Sequence, residues 1–146
     1  IAATRLSDED LDRAQAVLDK ATDARLRDDP MLTLKYSGEF HRIIVMTVDN
    51  SQIAAVLEEL RGRRARIRAI LIALHERLEQ SDLQHRQILA ALRQRDPALA
   101  EQRMKEHLAS TTDSLLLELD KFQAATAAAP GRPALLTEPR LAGEPA

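Results

Sequence analysis

The 146-residue chain contains no cysteine and no tryptophan, and only 2% of its residues are aromatic. The absence of cysteine excludes disulfide bonds, thiolate metal ligands and a cysteine nucleophile, and it fits a reducing compartment, so we expect a cytoplasmic protein. With so few aromatic residues, the core must consist of Leu, Ile, Val and Ala. No run of 18 apolar residues is present, and the start "IAATRLSDED" lacks the basic and apolar regions of a signal peptide, so no membrane association is expected.

The formal net charge of −2 gives the chain as a whole no field that would attract nucleic acid. The five arginines of "RGRRARIR", residues 61–68, point in several directions around a helix and form no single patch. Ala, Leu, Arg, Glu and Gln are abundant, and runs of β-branched residues in period two are almost absent. This composition predicts an all-α fold, an antiparallel bundle of five to six helices.

Capping signals predict where the helices begin and end. Ser7 followed by Asp10 is a variant of the capping box and opens a first helix that runs to about Arg27. Pro30 can occupy the first position of a second helix, which ends near "VDN". We predict three further helices: Ser51 to about Gln80, then Leu83 to Arg95 after a break at "QSD", and Pro97 to about Ala128.

The apolar stripe of the fifth helix places Leu108 inward, and Leu26 is a less regular member of the stripe of the first. Residues 1–128 form one predicted helical domain, whose first helix is truncated or lies upstream of Ile1. Residues 129–146 hold four of the six prolines and show no periodicity, so this Pro/Ala-rich tail is predicted to be extended or disordered. Because the chain does not open on methionine, we expect it to be a piece of a longer protein or a processed one.

Three of the four histidines lie within apolar stripes, each on a different predicted helix: His41, His85 and His107. A helical bundle brings such stripes together, and bundle cores assemble metal sites from single side chains on separate helices. A lone inward histidine is usually a core imidazole with satisfied hydrogen bonds, so three independent core histidines are the alternative. His75 lies at the edge of its stripe and is interpreted as a surface or interface residue.

Three imidazoles suit Zn, Ni, Fe or Cu, with Zn or Ni the most favoured, and they leave positions open for water or a ligand oxygen. The di-iron carboxylate pattern is absent, because no histidine has a glutamate three residues before it.

Arg64 interrupts the apolar stripe of the third predicted helix. A guanidinium stays charged and is not left unpaired in a core, so Arg64 either moves outward, pairs with a glutamate, or binds the carboxylate of a small molecule that also ligates the metal. Ser37, Thr111 and Ser114 lie on or near the same lining and are further candidates for effector binding. Single hydroxyls of this kind more often bond their own backbone.

The segments "EFHRIIVMTVDNSQI" and "DLQHRQILAALRQRDPALAEQRMKEHL" resemble the C-terminal effector-binding (FCD) domain of GntR-family, FadR-like transcription regulators, over about Ile1 to Phe122. The resemblance implies a dimeric all-helical bundle placed after a winged helix-turn-helix domain. It also implies a divalent metal bound by an aspartate and three histidines. His41, His85 and His107 match the three histidine positions. Ser37 occupies the aspartate position, a departure that predicts weaker metal binding. The implied effectors are small organic acids, amino acids or sugar acids.

We therefore predict a ligand-sensing and dimerising domain of a transcription regulator and not an enzyme. A small carboxylate effector at the His-lined metal site would alter the placement of attached DNA-binding domains. These domains are expected upstream of Ile1, and operator DNA would be contacted only through them. The predicted helices have more apolar surface than one helical layer would bury, which favours a homodimer. The apolar residues left over are Val56, Ile70 and Leu115–Leu117. Two alternatives remain: a helical interaction or structural module with core histidines and no metal, and a small metal-dependent hydrolase. The hydrolase is less favoured, since the stripes offer no carboxylate as a general base.

Overall fold

The computed structural model describes residues 1–47 and 75–127, and every regular element in these ranges is an α-helix. This confirms the predicted all-α class. No helix in the described ranges is long and apolar enough to cross a membrane. Residues 51–74 of the helix predicted from Ser51 to about Gln80, with Arg64, lie outside the described residues, and so does the tail 129–146. The helices are α1 (Ala2–Arg5), α2 (Asp8–Leu26), α3 (Pro30–Met46), α4 (His75–Arg93) and α5 (Pro97–Ala127).

Side-chain caps begin three of these helices where the sequence predicts them. The Ser7 hydroxyl accepts a hydrogen bond from the Asp10 N–H at 3.0 Å, and the Asp10 carboxylate accepts one from the Ser7 N–H at 3.1 Å, which completes a capping box for α2. Asp29 caps α3, with Pro30 in its first turn. The carboxylate of Asp96 accepts a backbone N–H at 3.0 Å and caps α5. Each cap satisfies N–H groups that have no partner inside the helix.

Helix α4 runs without interruption through residues 80–82, so the predicted break at "QSD" is wrong. Asp82 is only 8% exposed and is held by side chains on α2 and α4. The Thr22 hydroxyl of α2 donates to its carboxylate at 2.8 Å, and Arg25 and Arg86 lie 3.8 and 3.5 Å from its oxygens. Aspartate often ends a helix, but this one is retained inside α4, because Thr22 and Arg25 of α2 hold its Oδ2 atom.

The core lies where α1, α2, α3 and α4 meet the first turns of α5, and it is aliphatic apart from Phe40. Short turns join α2 to α3 and α4 to α5, so the helices of each pair pack side by side. Leu26 and Leu108, which the stripes placed inward, are 71% and 55% exposed. Leu26 is the last residue of α2. Leu108 follows the buried His107, and successive helical residues point about 100° apart.

The turn between α4 and α5 anchors the amino-terminal segment. Arg95 adopts a left-handed backbone conformation, with φ of 55°, and its guanidinium donates to the backbone carbonyls of Leu6 and Ala3. The same group pairs with the Asp8 carboxylate at 2.6 Å. These contacts fix α1 against the end of the bundle at which α4 terminates.

Candidate metal centre

Helices α3, α4 and α5 each contribute one histidine to a single cluster: His41, His85 and His107. The ring centres lie 4.8 Å apart for His41 and His85, 5.2 Å for His41 and His107, and 4.5 Å for His85 and His107. His85 and His107 are 2% and 5% exposed, and His41 is partly buried. The structure therefore brings together the three side chains that the stripes assigned to one site.

The spacing of one pair of imidazole nitrogens, on His85 and His107, equals that expected around a bound divalent ion. One nitrogen from each ring can be chosen so that all three lie within 4.8 Å of one another. The Nε2 atoms of His85 and His107 are 3.3 Å apart. Two nitrogens at zinc-bond lengths of about 2.0–2.1 Å on a tetrahedral ion are about 3.3–3.4 Å apart. Three neutral nitrogen donors suit zinc or nickel and leave a coordination position for an oxygen.

A buried arginine lies behind this cluster. Arg77 is 5% exposed, and its guanidinium donates to Oε1 of Gln84 at 3.1 and 3.2 Å. It also donates to the Thr111 hydroxyl and, at 3.5 Å, to the His107 carbonyl. Its Nε is buried and has no hydrogen-bond partner in the described part of the chain. Among the residues whose side chains the structure describes, which excludes residues 48–76, no carboxylate forms an ion pair with Arg77.

The same glutamine supports His107, because Oε1 of Gln84 lies 3.0 Å from His107 Nδ1. His85 has no equivalent support: its Nδ1 is buried without a hydrogen-bond partner among the described residues. The two buried imidazoles thus differ in their outer contacts.

Electrostatics keep both buried imidazoles neutral. Burial, the neighbouring histidines and the charge of Arg77 lower the pKa of His85 to about 2. Burial and Arg77 lower the pKa of His107 to about 4. A neutral imidazole keeps a lone pair for a metal, whereas a protonated one does not. Burial lowers the pKa of Arg77 as well, yet a guanidinium remains charged at neutral pH.

The structure separates the predicted effector-binding residues. Thr111 belongs to the site wall, since its hydroxyl contacts Arg77 and donates to the His107 carbonyl at 2.8 Å. Ser37 is half-buried on α3, one helical turn before His41. Ser114 donates to the carbonyl of the residue four positions earlier at 2.9 Å, which is the ordinary role of a helical hydroxyl.

Sequence reasoning missed Arg77 and Gln84. They lie seven residues apart, two turns along one helical face, and Gln84 immediately precedes His85. The predicted break at residues 80–82 assigned the two side chains to different helices and concealed this relation. A continuous helix over residues 75–93 would have revealed it from spacing alone.

Comparisons with known proteins agree with this architecture. The family model described as "FCD domain" matches residues 1–110, which include all three histidines of the cluster. The uncharacterized HTH-type transcriptional regulator YcbG of Bacillus subtilis (strain 168) is 30% identical over 125 residues, or 83% of this chain and 49% of that protein. The chain thus spans about half the length of the curated relative that it matches. No solved structure gives a significant match. The chain belongs to the FCD domain family.

Proposed function

We propose that this chain is the ligand-sensing and dimerising domain of a GntR-family, DNA-binding transcription regulator that acts in the cytoplasm. The observation that carries the proposal is the convergence of His41, His85 and His107 in a member of the FCD domain family. YcbG, of which this chain spans about half, is named an HTH-type transcriptional regulator. Operator DNA would be bound by a helix-turn-helix domain attached before these residues, and the function is regulatory instead of enzymatic.

The proposed ligand is a divalent ion, zinc or nickel, together with a small carboxylate effector. Three neutral imidazoles leave the full charge of +2 on the ion, and the guanidinium of Arg77 adds a further buried positive charge. No carboxylate among the described side chains, which exclude those of residues 48–76, balances these charges. An anionic effector with one oxygen in the open coordination position would supply the missing negative charge. Ser37, Thr111, Ser114 and Arg64 are the proposed effector-binding side chains.

Regulation follows if the effector binds one arrangement of the three helices more tightly than another. Each of α3, α4 and α5 supplies one ligand, so their separation determines how well an ion and its effector fit. Helix α4 continues from His85 to the turn at Arg95, which holds α1. A shift of α4 would move the amino-terminal segment to which DNA-binding domains are proposed to attach, and operator binding is sensitive to their placement.

A homodimer is part of the proposal. On α5, Leu116 and Leu117 are 55% and 59% exposed, and neighbouring exposed leucines favour a contact with another chain. Leu115 is half-buried, and Val56 and Ile70 lie outside the described residues.

The second candidate function is a helical interaction module without metal. One observation favours it: the Nε2 atoms of His85 and His107 are 3.3 Å apart, a distance at which one imidazole can donate a hydrogen bond to the other without an ion. A hydrolase is less favoured, because no carboxylate joins the three histidines in the candidate ligand group of the described residues, and a hydrolase needs a general base beside the metal-bound water.

Metal analysis of protein purified without chelator, followed by zinc calorimetry, tests the proposal. We expect about one ion per chain, and tighter zinc binding in the variant Ser37→Asp, because a carboxylate lowers the charge of the site from about +2 to +1. Thr112→Asp, at an exposed hydroxyl position on α5, is the matched control and should change the affinity less. Zinc affinity that is equal in Ser37→Asp and wild type would show that position 37 does not face the ion. Absence of any zinc or nickel binding would favour the interaction module.

A further inference from the structure

The contact with Arg77 determines which way the Gln84 amide points. An amide oxygen and an amide nitrogen have nearly the same shape, so orientation must be assigned from hydrogen bonds. A guanidinium has five N–H donors and no acceptor. The Gln84 atom that lies 3.1 and 3.2 Å from the Arg77 nitrogens must therefore be the carbonyl oxygen, because the amide nitrogen would place donor against donor.

The same oxygen determines the tautomer of His107. It lies 3.0 Å from His107 Nδ1, and an amide oxygen only accepts hydrogen bonds. Nδ1 must then carry the hydrogen, and a neutral imidazole has only one N–H, so the lone pair is on Nε2. This Nε2 is the atom that faces His85 at 3.3 Å. The lone pair therefore points into the cluster.

We propose that Arg77 and Gln84 are positioning residues of the metal centre, which fix His107 in the tautomer that presents the Nε2 lone pair to the ion. The inference rests on the metal site of the proposed function and adds two residues to it. Groups of this kind, which touch a ligand and not the ion, set ring orientation, and their loss typically weakens metal affinity by about 10–100-fold.

His85 provides the contrast within the same cluster. With a lone pair already on His107 Nε2, the favourable metal-free arrangement has the hydrogen of His85 on Nε2, donated to His107 across 3.3 Å. An ion bound by both Nε2 atoms would require His85 to carry its hydrogen on Nδ1, where no described residue accepts it. In the metal-free protein, His107 thus already has the tautomer that binds an ion through Nε2, whereas His85 must change its tautomer.

A purely structural role for Arg77 and Gln84 is the competing explanation. Arg77 also donates to Thr111 and to the His107 carbonyl, so the pair joins α4 to α5 whether or not a metal binds. Loss of a structural link would lower the stability of the fold but would not change which nitrogen of His107 carries the hydrogen. The tautomer is therefore the decisive measurement.

The experiment compares nitrogen-15 imidazole NMR spectra of metal-free wild type and variants, with His107 assigned by its loss in His107→Gln, and then measures zinc affinity by calorimetry. Wild type should show the Nδ1–H tautomer at His107. Gln84→Leu should move His107 toward the Nε2–H form and weaken zinc binding at least about tenfold. Gln84→Glu should keep the Nδ1–H tautomer of His107 and the wild-type zinc affinity, because a carboxylate oxygen, like the amide oxygen, only accepts hydrogen bonds. Gln87→Leu, at an exposed position of the same helix, is the matched control and should change neither.

An unchanged His107 tautomer in Gln84→Leu would overturn the proposal, whatever the zinc affinity. If Gln84→Leu does not fold, Arg77→Met tests the same step, because the freed amide can rotate and mix the two tautomers; a single unmixed tautomer there would equally overturn it. If the tautomers respond as expected but wild type binds no zinc, the arrangement around His107 holds and the proposed metal function fails.

Discussion

Helix α4 buries different chemistry in its two halves. Besides Leu78, the half up to His85 buries ionisable side chains, Arg77, Asp82 and His85, whereas the half after it buries only aliphatic ones. Four buried side-chain atoms in the described part of the chain have no hydrogen-bond partner, and three of them belong to the polar half. Such groups cost stability, so their concentration in one stretch indicates a segment shaped for binding. The aliphatic half consists of Ile88, Leu89, Ala91 and Leu92.

The largest effect of a single substitution is expected in the aliphatic half. Ile88 is 1% exposed, and truncation of a fully buried isoleucine to alanine removes apolar contacts and leaves a cavity. Ile88→Ala should lower the free energy of unfolding by about 3 kcal/mol, and the control Ile88→Val by about 1 kcal/mol. Urea denaturation measures both. A loss below about 1 kcal/mol for Ile88→Ala would mean that this half is not tightly packed.

In the polar half, the equivalent test is Asp82→Asn. The side chain of Asp82 is 9% exposed beside Arg25 and Arg86. Removing its charge leaves Arg25 facing a neutral amide, whereas Arg86 keeps its ion pair with Asp19 at 3.1 Å. We expect a loss of about 2 kcal/mol in the free energy of unfolding. Asp12→Asn is the matched control, because Asp12 pairs with Arg93 at 2.9 Å with 73% of its side chain exposed, and such pairs contribute less than about 1 kcal/mol. Equal losses in the two variants would contradict the comparison.

The buried imidazoles predict a dependence of stability on pH in metal-free protein. Both folded-state pKa values, about 2 for His85 and about 4 for His107, lie below that of an unfolded histidine, about 6.5. Below pH 6.5 the unfolded chain therefore takes up protons that the folded chain refuses, and stability falls as the pH falls toward 4. The slope is at most about 1.4 kcal/mol per pH unit for each histidine.

Thermal or urea unfolding between pH 7.5 and 5, with chelator present, measures this dependence. The control is a double variant with His85→Leu and His107→Leu, which keeps similar side-chain volume and removes both titrating groups. Its stability should fall less steeply over this range than that of wild type. Parallel curves would show that the two imidazoles protonate as readily in the folded chain as in the unfolded one.

The smallest effect concerns the end of α4. Arg95 has a positive φ of 55°, which glycine adopts without cost and alanine does not. Arg95→Ala and Arg95→Gly both lose the contacts to Ala3 and Leu6. In urea unfolding, Arg95→Ala should nevertheless be less stable than Arg95→Gly by about 1 kcal/mol, because alanine keeps the backbone strain of a positive φ and glycine does not. The reverse order would show that the left-handed conformation disappears with the guanidinium.

Sequence reasoning succeeded where the determinants are local. The capping box of Ser7 and Asp10 spans three residues, so the start of α2 could be predicted. The break at residues 80–82 was wrong because Asp82 is stabilised by Thr22, sixty positions away. Likewise, the sequence could not rank Thr111 above Ser114, since the difference between these two hydroxyls lies in the guanidinium of Arg77 on another helix.

The histidine cluster was predictable because one side chain on each of three stripes must face the common core of a bundle. The orientation of each ring was not. It depends on whether an outer nitrogen finds a partner, as His107 does with Gln84 and His85 does not among the described residues. Partners of this kind follow from three-dimensional packing, which a pattern of apolar residues does not specify.

The position of His41 on α3 gives the protein an optical reporter of its own. The chain has one tyrosine and no tryptophan, so its ultraviolet emission arises almost entirely from Tyr36. Tyr36 precedes His41 by five residues on α3, about 7.5 Å along the helix axis at 1.5 Å per residue. Five residues also turn the helix by about 140°, so Tyr36 lies near the cluster without contacting it through the same face. Cobalt(II) or copper(II) ions bound nearby quench tyrosine fluorescence, whereas zinc does not. Emission should thus fall when a coloured ion enters the cluster and recover when zinc displaces it.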